Sequence, residues 1–139
     1  MKTKSIRQTV TFEATPEQIY HLIMDEEKHS AFTGTKVKVS KEPNGKFSVF
    51  DNYINGYNIE LIEGKKIVQA WHFTEDGWPE EHFSMCTFLL DQVGNKTKLK
   101  FLQTGVPEDS VESLSKGWKE FYWEPMKTWL KENKKHEPI

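Results

Sequence analysis

The sequence predicts an α+β domain in which a curved antiparallel sheet wraps one long C-terminal helix. Three observations lead there. Residues 36–103 consist of short alternating runs separated by turn signals. The segments with helical spacing stand outside that region, one on each side of it. And "WKEFYWEPMKTWL", Trp118 to Leu130, places three tryptophans, a phenylalanine, a tyrosine and a proline in one stretch of an otherwise hydrophilic chain. At 139 residues the chain is one domain's worth, and it is read as a single domain over 1–139.

The elements follow in order. In "SIRQTVTFEA", Ile6, Gln8, Val10 and Phe12 alternate with polar residues, the pattern of a half-buried strand. "ATPEQIYHLIMD" then carries a helix start. Thr15 suits the N-cap, Pro16 the first helical position and Gln18 the third, where a capping box needs an acceptor. "EEKHSAFTGT" predicts a second short helix stopped by Gly34. From Lys36 about six strands are expected, with hairpin turns at Asn44-Gly45 and Glu63-Gly64. A polar loop, "TEDGWPEE", interrupts them.

The inward faces are assigned from alternation: Ile67, Gln69, Trp71 and Phe73 with His72 outward, then Ser84, Cys86, Phe88 and Leu90, then Thr97, Leu99, Phe101 and Gln103. Two amides among large apolar residues require hydrogen-bond partners, in the protein or in a ligand. After Pro107 a single helix is expected from Glu108 to Glu132, about 37 Å long. On a helical wheel Val111, Leu114, Trp118, Phe121, Tyr122, Pro125 and Trp129 fall within about 60° of Trp118, which leaves Trp123 at the edge or exposed. Pro125 cannot donate to the carbonyl of Phe121 and should bow the helix toward the sheet.

Composition limits the function classes. Nineteen Lys plus Arg against 21 Asp plus Glu give a net charge of −2, no basis for a nucleic-acid or anionic-membrane surface. The basic clusters "KK" at 65–66 and "KKH" at 134–136 read as solvated ends and turns. Cys86 is the only cysteine, so no internal disulfide can form. Neither a signal peptide nor an apolar run of membrane-spanning length is present. The expectation is a soluble, cytoplasmic protein.

Catalytic and metal constellations are not visible. His82 and Cys86 would stand about 13 Å apart on one strand face, with no further ligand beside them for a tetrahedral zinc site. His21 and His29 are assigned to helix surfaces. Cys86, in a core strand without a neighbouring charge, has nothing to activate its thiol. No nucleophile elbow, P-loop or dinucleotide motif occurs, and the acidic residues sit at turns and helix ends. No catalytic residue, metal or cofactor is assigned.

Five phrases occur in order: "HSAFTG" at 29–34, "GKFSVFD" at 45–51, "GKKIVQAW" at 64–71, "QTGVP" at 103–107 and "GWKEFYWEPMK" at 117–127. Together they resemble the C-terminal domain of the activator of Hsp90 ATPase, a member of the START-like (SRPBCC, Bet v 1-like) superfamily. The resemblance implies a helix-grip fold with a cavity between sheet and helix. In the eukaryotic co-chaperone this domain follows a separate N-terminal domain. Here Met1 lies almost at the first strand, so a domain without that companion is expected.

Across the superfamily the recurrent role is to hold a lipid, a polyketide or another hydrophobic molecule under the helix. The first expectation is therefore a binding protein whose cavity is lined by Gln69, Trp71, Phe88, Phe101, Gln103, Trp118, Phe121 and Tyr122. The second is a protein-interaction module or chaperone accessory factor, monomeric or homodimeric, using an exposed Trp78. An enzyme of the cyclase or hydrolase type is the third.

Overall fold

The computed structural model describes residues 1–133; the basic cluster at 134–136 and the end of the expected domain lie outside them. Seven strands make one antiparallel sheet: β1 (Thr3–Phe12), β2 (Lys38–Val39), β3 (Lys46–Val49), β4 (Ile54–Ile62), β5 (Lys66–Phe73), β6 (Ser84–Val93) and β7 (Lys96–Pro107). Their order is β1-β7-β6-β5-β4-β3-β2. Chain order from β2 to β7 is thus a plain meander, and β1 returns to pair with β7. Register shifts at Lys4/Ile6 in β1 and Asn58/Glu60 in β4 are bulges, which bend a strand and add twist. The curvature follows from them.

Two short helices fill one end of the sheet. α1 (Pro16–Met24) starts with the capping box that the sequence signals. The Thr15 hydroxyl accepts from the Gln18 N–H at 3.2 Å, and the Gln18 carbonyl oxygen accepts from the Thr15 N–H at 2.8 Å. α2 (Glu26–Thr33) is capped by Asp25 and ends at Gly34, whose φ of 72° is the left-handed conformation glycine adopts without cost.

The C-terminal helix departs from expectation. A 3₁₀ turn at Glu108–Ser110 leads into α3 (Val111–Trp118), a π-helical turn follows at Lys119–Trp123, and α4 (Glu124–Asn133) completes it. A π turn closes i→i+5 bonds; here the Glu124 N–H donates to the Lys119 carbonyl. Pro125, which has no N–H to offer Phe121, stands one residue beyond.

The extra residue advances the wheel by about 100°. That corrects two expectations. Phe121, placed on the inner arc, turns outward and is 48% exposed, while Trp123, placed at the edge, is buried at 3%. Met126 replaces Pro125 as the buried position below it. Gln8 of β1 holds the turn from the sheet side: its amide donates to the Ser115 carbonyl at 2.9 Å and accepts from the Trp123 indole N–H at 2.6 Å.

The inner faces assigned to β5, β6 and β7 are all buried. Between them and the helix lies a block of rings. Trp118 packs 4.3 Å from Phe101, 5.0 Å from Trp71 and 5.5 Å from Trp123 between centroids, and Phe88 closes the set at 5.1 Å from Phe101. Such tilted and stacked pairs contribute about 0.5–1.5 kcal/mol each beyond the area they bury.

Candidate functional site

The two buried glutamines do not face a ligand space. Gln69 donates to Asn58 Oδ1 at 2.9 Å and accepts from the Trp71 indole at 2.9 Å. Asn58, wholly buried at the β4 bulge, donates onward to the carbonyls of Ser40 and Glu42 at 2.7 and 3.0 Å. Gln103 accepts from the Trp118 indole at 2.8 Å and donates to the Ser84 hydroxyl at 2.9 Å, which in turn donates to the Trp71 carbonyl. Each amide is satisfied within the protein, as burial demands. Their physical effect is to fix the two indole planes.

Those indoles form the floor of a cavity of about 250 Å³ at the mouth of the grip, between the end of β5 and the helix. Of the eight residues expected to line a ligand space, Trp71, Trp118, Phe121 and Tyr122 border this one. Gln69, Phe88, Phe101 and Gln103 do not; they lie buried in the core behind it. The hydrophobic space therefore sits at the rim rather than under the whole length of the helix.

The rim is built from a strained turn and a helix face. Phe50, Asp51 and Asn52, between β3 and β4, have φ values of 54°, 53° and 69°. Left-handed backbone costs about 1–2 kcal/mol for a non-glycine residue, and strain of this kind persists only where the surroundings enforce it. The turn sets Phe50 edge-on to Phe121 at 5.9 Å. Opposite, Gly117 leaves a gap in the helix surface: a Cβ there would meet nothing nearer than the Phe121 ring at 3.9 Å.

Glu75, in the loop after β5, brings the only carboxylate that borders the cavity among the described residues. Its Oε2 accepts from the Tyr53 hydroxyl at 3.4 Å. Its Oε1 is buried and, among the described residues, has no hydrogen-bond partner. Burial and the adjacent Glu75 carboxylate raise the pKa of Tyr53, which keeps its proton.

Two further expectations are corrected. His29 is not on a helix surface but 2% exposed. Its Nδ1 lies 2.9 Å from the Ile23 carbonyl, an obligate acceptor, so Nδ1 carries the proton and Nε2 accepts from the Tyr122 hydroxyl at 2.8 Å. Desolvation lowers its pKa to about 4, against the raising effect of the Ile23 bond. Tyr122, wholly buried, is pushed well above the ordinary tyrosine range.

Trp78 is not exposed either. Its indole donates to the His82 carbonyl at 2.7 Å and its ring packs on Phe73 at 5.1 Å. His72 does lie opposite the inner face, but under Trp78 and Phe83, with Nδ1 donating to the same carbonyl at 2.9 Å. Cys86 is fully buried and its thiol pKa is raised well above the usual value by desolvation. His82 Nε2 donates to the Gly105 carbonyl at 2.6 Å, and no group of three His, Cys, Asp or Glu among the described residues could hold a metal ion. No helix among them is long and apolar enough to cross a membrane.

Sequence reasoning missed Glu75, Phe50 and Gly117. Two of them carried a signal. A glycine in mid-helix costs about 1 kcal/mol relative to alanine and asks for a reason, here the open cavity. A hydrophobic residue next to "DN", a pair that tolerates left-handed backbone, marks a turn that can present a ring. Glu75 carried none, because an acid in a polar loop looks solvated.

Comparison with known proteins bears on the same architecture. The family model for activator of Hsp90 ATPase homolog 1-like protein matches residues 13–131. The human activator of 90 kDa heat shock protein ATPase homolog 1 is 31% identical over 117 residues, 84% of this chain and 34% of that protein. The Dictyostelium discoideum homolog is 33% identical over 118 residues, 84% of this chain and 30% of its own length. The chain thus spans about a third of the curated relatives it matches. A crystal structure described as an HSP90 activator from Plasmodium falciparum superposes with a TM-score of 0.83 at 27% identity, covering 91% of this chain and 95% of that one. A seven-stranded curved sheet gripping a C-terminal helix, matched over nearly its whole length by one family model, makes this chain a member of the activator of Hsp90 ATPase homolog 1-like family within the START-like superfamily.

Proposed function

We propose that this domain binds a small hydrophobic molecule at the mouth of the grip. The observation that carries the reading is the cavity of about 250 Å³, floored by two indoles whose planes are fixed from behind. Apolar pockets with a few placed polar groups are the usual form of small-molecule sites. The strained Phe50 turn and the gap at Gly117 both act to keep the space open. The test is Gly117→Leu, which fills the gap while improving helix propensity. Native mass spectrometry of the freshly purified wild-type protein should show a co-purified small molecule, absent from a stably folded Gly117→Leu. A wild-type protein that carries nothing, and takes up no apolar probe that the variant refuses, would remove the reading.

A second reading, an accessory module for a chaperone of the Hsp90 class, is supported by the relatives that bear activator names. One feature of the surface favours it. Tyr57, Ala70 and Met85 stand in register across β4, β5 and β6 on the convex face, and Tyr57, Met85 and the adjacent Phe83 are exposed. If this strip docks the chaperone, stimulation of the chaperone's ATPase by the purified domain should disappear in Met85→Glu. Absence of both stimulation and complex with the wild-type domain would exclude it.

A further inference from the structure

The Glu75 carboxylate at the cavity specifies more than greasiness. We propose that the mouth of the grip selects a protonated aromatic amine, its ring on the Trp71–Trp118 floor and its ammonium paired with the Glu75 carboxylate. The inference rests on the small-molecule reading above and adds the ligand's charge and size.

The charge argument begins with satisfaction. A buried carboxylate oxygen without a partner is costly, since desolvation is not offset. Glu75 Oε1 is the one buried side-chain oxygen or nitrogen among the described residues that lacks a hydrogen bond. Tyr53 supplies only a long bond, 3.4 Å, to the other oxygen. Among the described residues no lysine, arginine or histidine borders the cavity, so its charge is unbalanced by them. A bound ammonium would balance that charge, and a turn of the Glu75 side chain would bring Oε1 to it, whereas an anionic ligand would meet repulsion.

The walls favour the same guest. Together with the carboxylate, Phe50, Tyr53, Trp71, Phe73, Trp118 and Phe121 line the cavity. Aromatic faces attract a cation through their quadrupole, most strongly for tryptophan and where water is excluded. An aromatic enclosure with a carboxylate at its edge is the chemistry that recognises organic ammonium ions. The indoles cannot swing to accommodate something else, because Gln69 and Gln103 hold their N–H groups.

Size narrows the class. A dry apolar cavity of ~150 Å³ takes up benzene, so about 250 Å³ accommodates a benzene ring with a short alkylamine tail, or a bicyclic ring with little more. Long-chain lipids would project far beyond the rim.

The experiment is a set of ¹H–¹⁵N NMR titrations at pH 7 with three probes of common shape: 2-phenylethylamine (cationic), propylbenzene (neutral) and phenylacetate (anionic). The Trp71 and Trp118 indole N–H signals report occupancy of the floor. The expected result is binding of 2-phenylethylamine about 10-fold or more tighter than propylbenzene, the scale of one charge-assisted hydrogen bond. The preference should weaken with added salt and fall below about 3-fold in Glu75→Gln. Phenylacetate should bind worst. Equal affinity for amine and hydrocarbon, or a preference that survives Glu75→Gln, overturns the amine inference and leaves the hydrophobic site standing. No shift of either indole with any probe overturns both.

Discussion

Acidification from pH 7 to 4.5 should destabilise this protein through one side chain, His29. The imidazole is buried between α2 and the C-terminal helix, stacked 5.0 Å from Phe32, donating from Nδ1 to Ile23 and accepting at Nε2 from Tyr122. Protonation would place a second proton on Nε2, facing a hydroxyl that must then turn from donor to acceptor, and a charge where water cannot reach. Desolvation therefore lowers the folded-state pKa to about 4 from 6.5. The unfolded chain binds the proton more tightly than the folded one, so the contribution is fully present above about pH 6.5 and is lost as pH falls toward 4. A gap of about 2.5 pH units is worth ~3 kcal/mol in full, of which roughly 2 kcal/mol is lost between pH 7 and 4.5.

Urea denaturation at the two pH values measures it. His29→Gln is the matched control, because an amide can donate to Ile23 and accept from Tyr122 but does not titrate. The wild-type midpoint should fall by roughly 1 M urea more than that of the variant, taking an m-value of ~1–3 kcal/mol/M. Equal falls in both proteins, or an NMR titration of the His29 ring centred near its ordinary value, would refute the reasoning.

Gln103→Leu leaves the Trp118 indole N–H without an acceptor in the core, and should cost ~2–3 kcal/mol by chemical denaturation. Trp123→Ala should cost ~3–5 kcal/mol and Phe121→Ala under ~1 kcal/mol in thermal unfolding, the reverse of what an uninterrupted helix implies. Deleting the exposed Glu120 from the π turn should be tolerated, with a folded fraction by circular dichroism near wild type. The deletion converts the turn to ordinary α geometry while Trp118, Tyr122, Trp123 and Met126 keep their common face; an unfolded product would show that the turn is not a one-residue insertion.

Most of the fold was legible because it is written in local patterns. The Thr15–Gln18 capping box, the Gly34 stop, the Asn44-Gly45 turn and the period-2 faces of β5 to β7 all act over a few residues, and all formed as expected. What was not legible depends on contacts far apart in sequence. Gln69 and Gln103 stood out as buried amides, but their partners, Asn58, Ser84 and the two indoles, are set by sheet register, which alternation does not fix. His29 and Trp78 sit in polar stretches, so local reasoning put them at the surface; Tyr122 at a separation of 93 residues and Phe73 across a loop bury them.

The helix shows most plainly how one local deviation decides the site. A 100° wheel assumes a constant turn, and in this chain the assumption fails at residues 119–123. Without the π turn Phe121 would enter the ring block beside Trp118, and Trp123 would face outward. With it, Trp123 packs 5.4 Å from Phe101 and seals the core, while Phe121 is released to the rim, 5.9 Å from Phe50. The closed core and the open mouth are thus two results of a single inserted residue. Gln8, which binds the Ser115 carbonyl before the turn and the Trp123 indole at its end, is the side chain that holds both in place. The cavity at the mouth fits this geometry, with Trp118, Tyr122 and Trp123 closed against the sheet and Phe121 left standing at the rim.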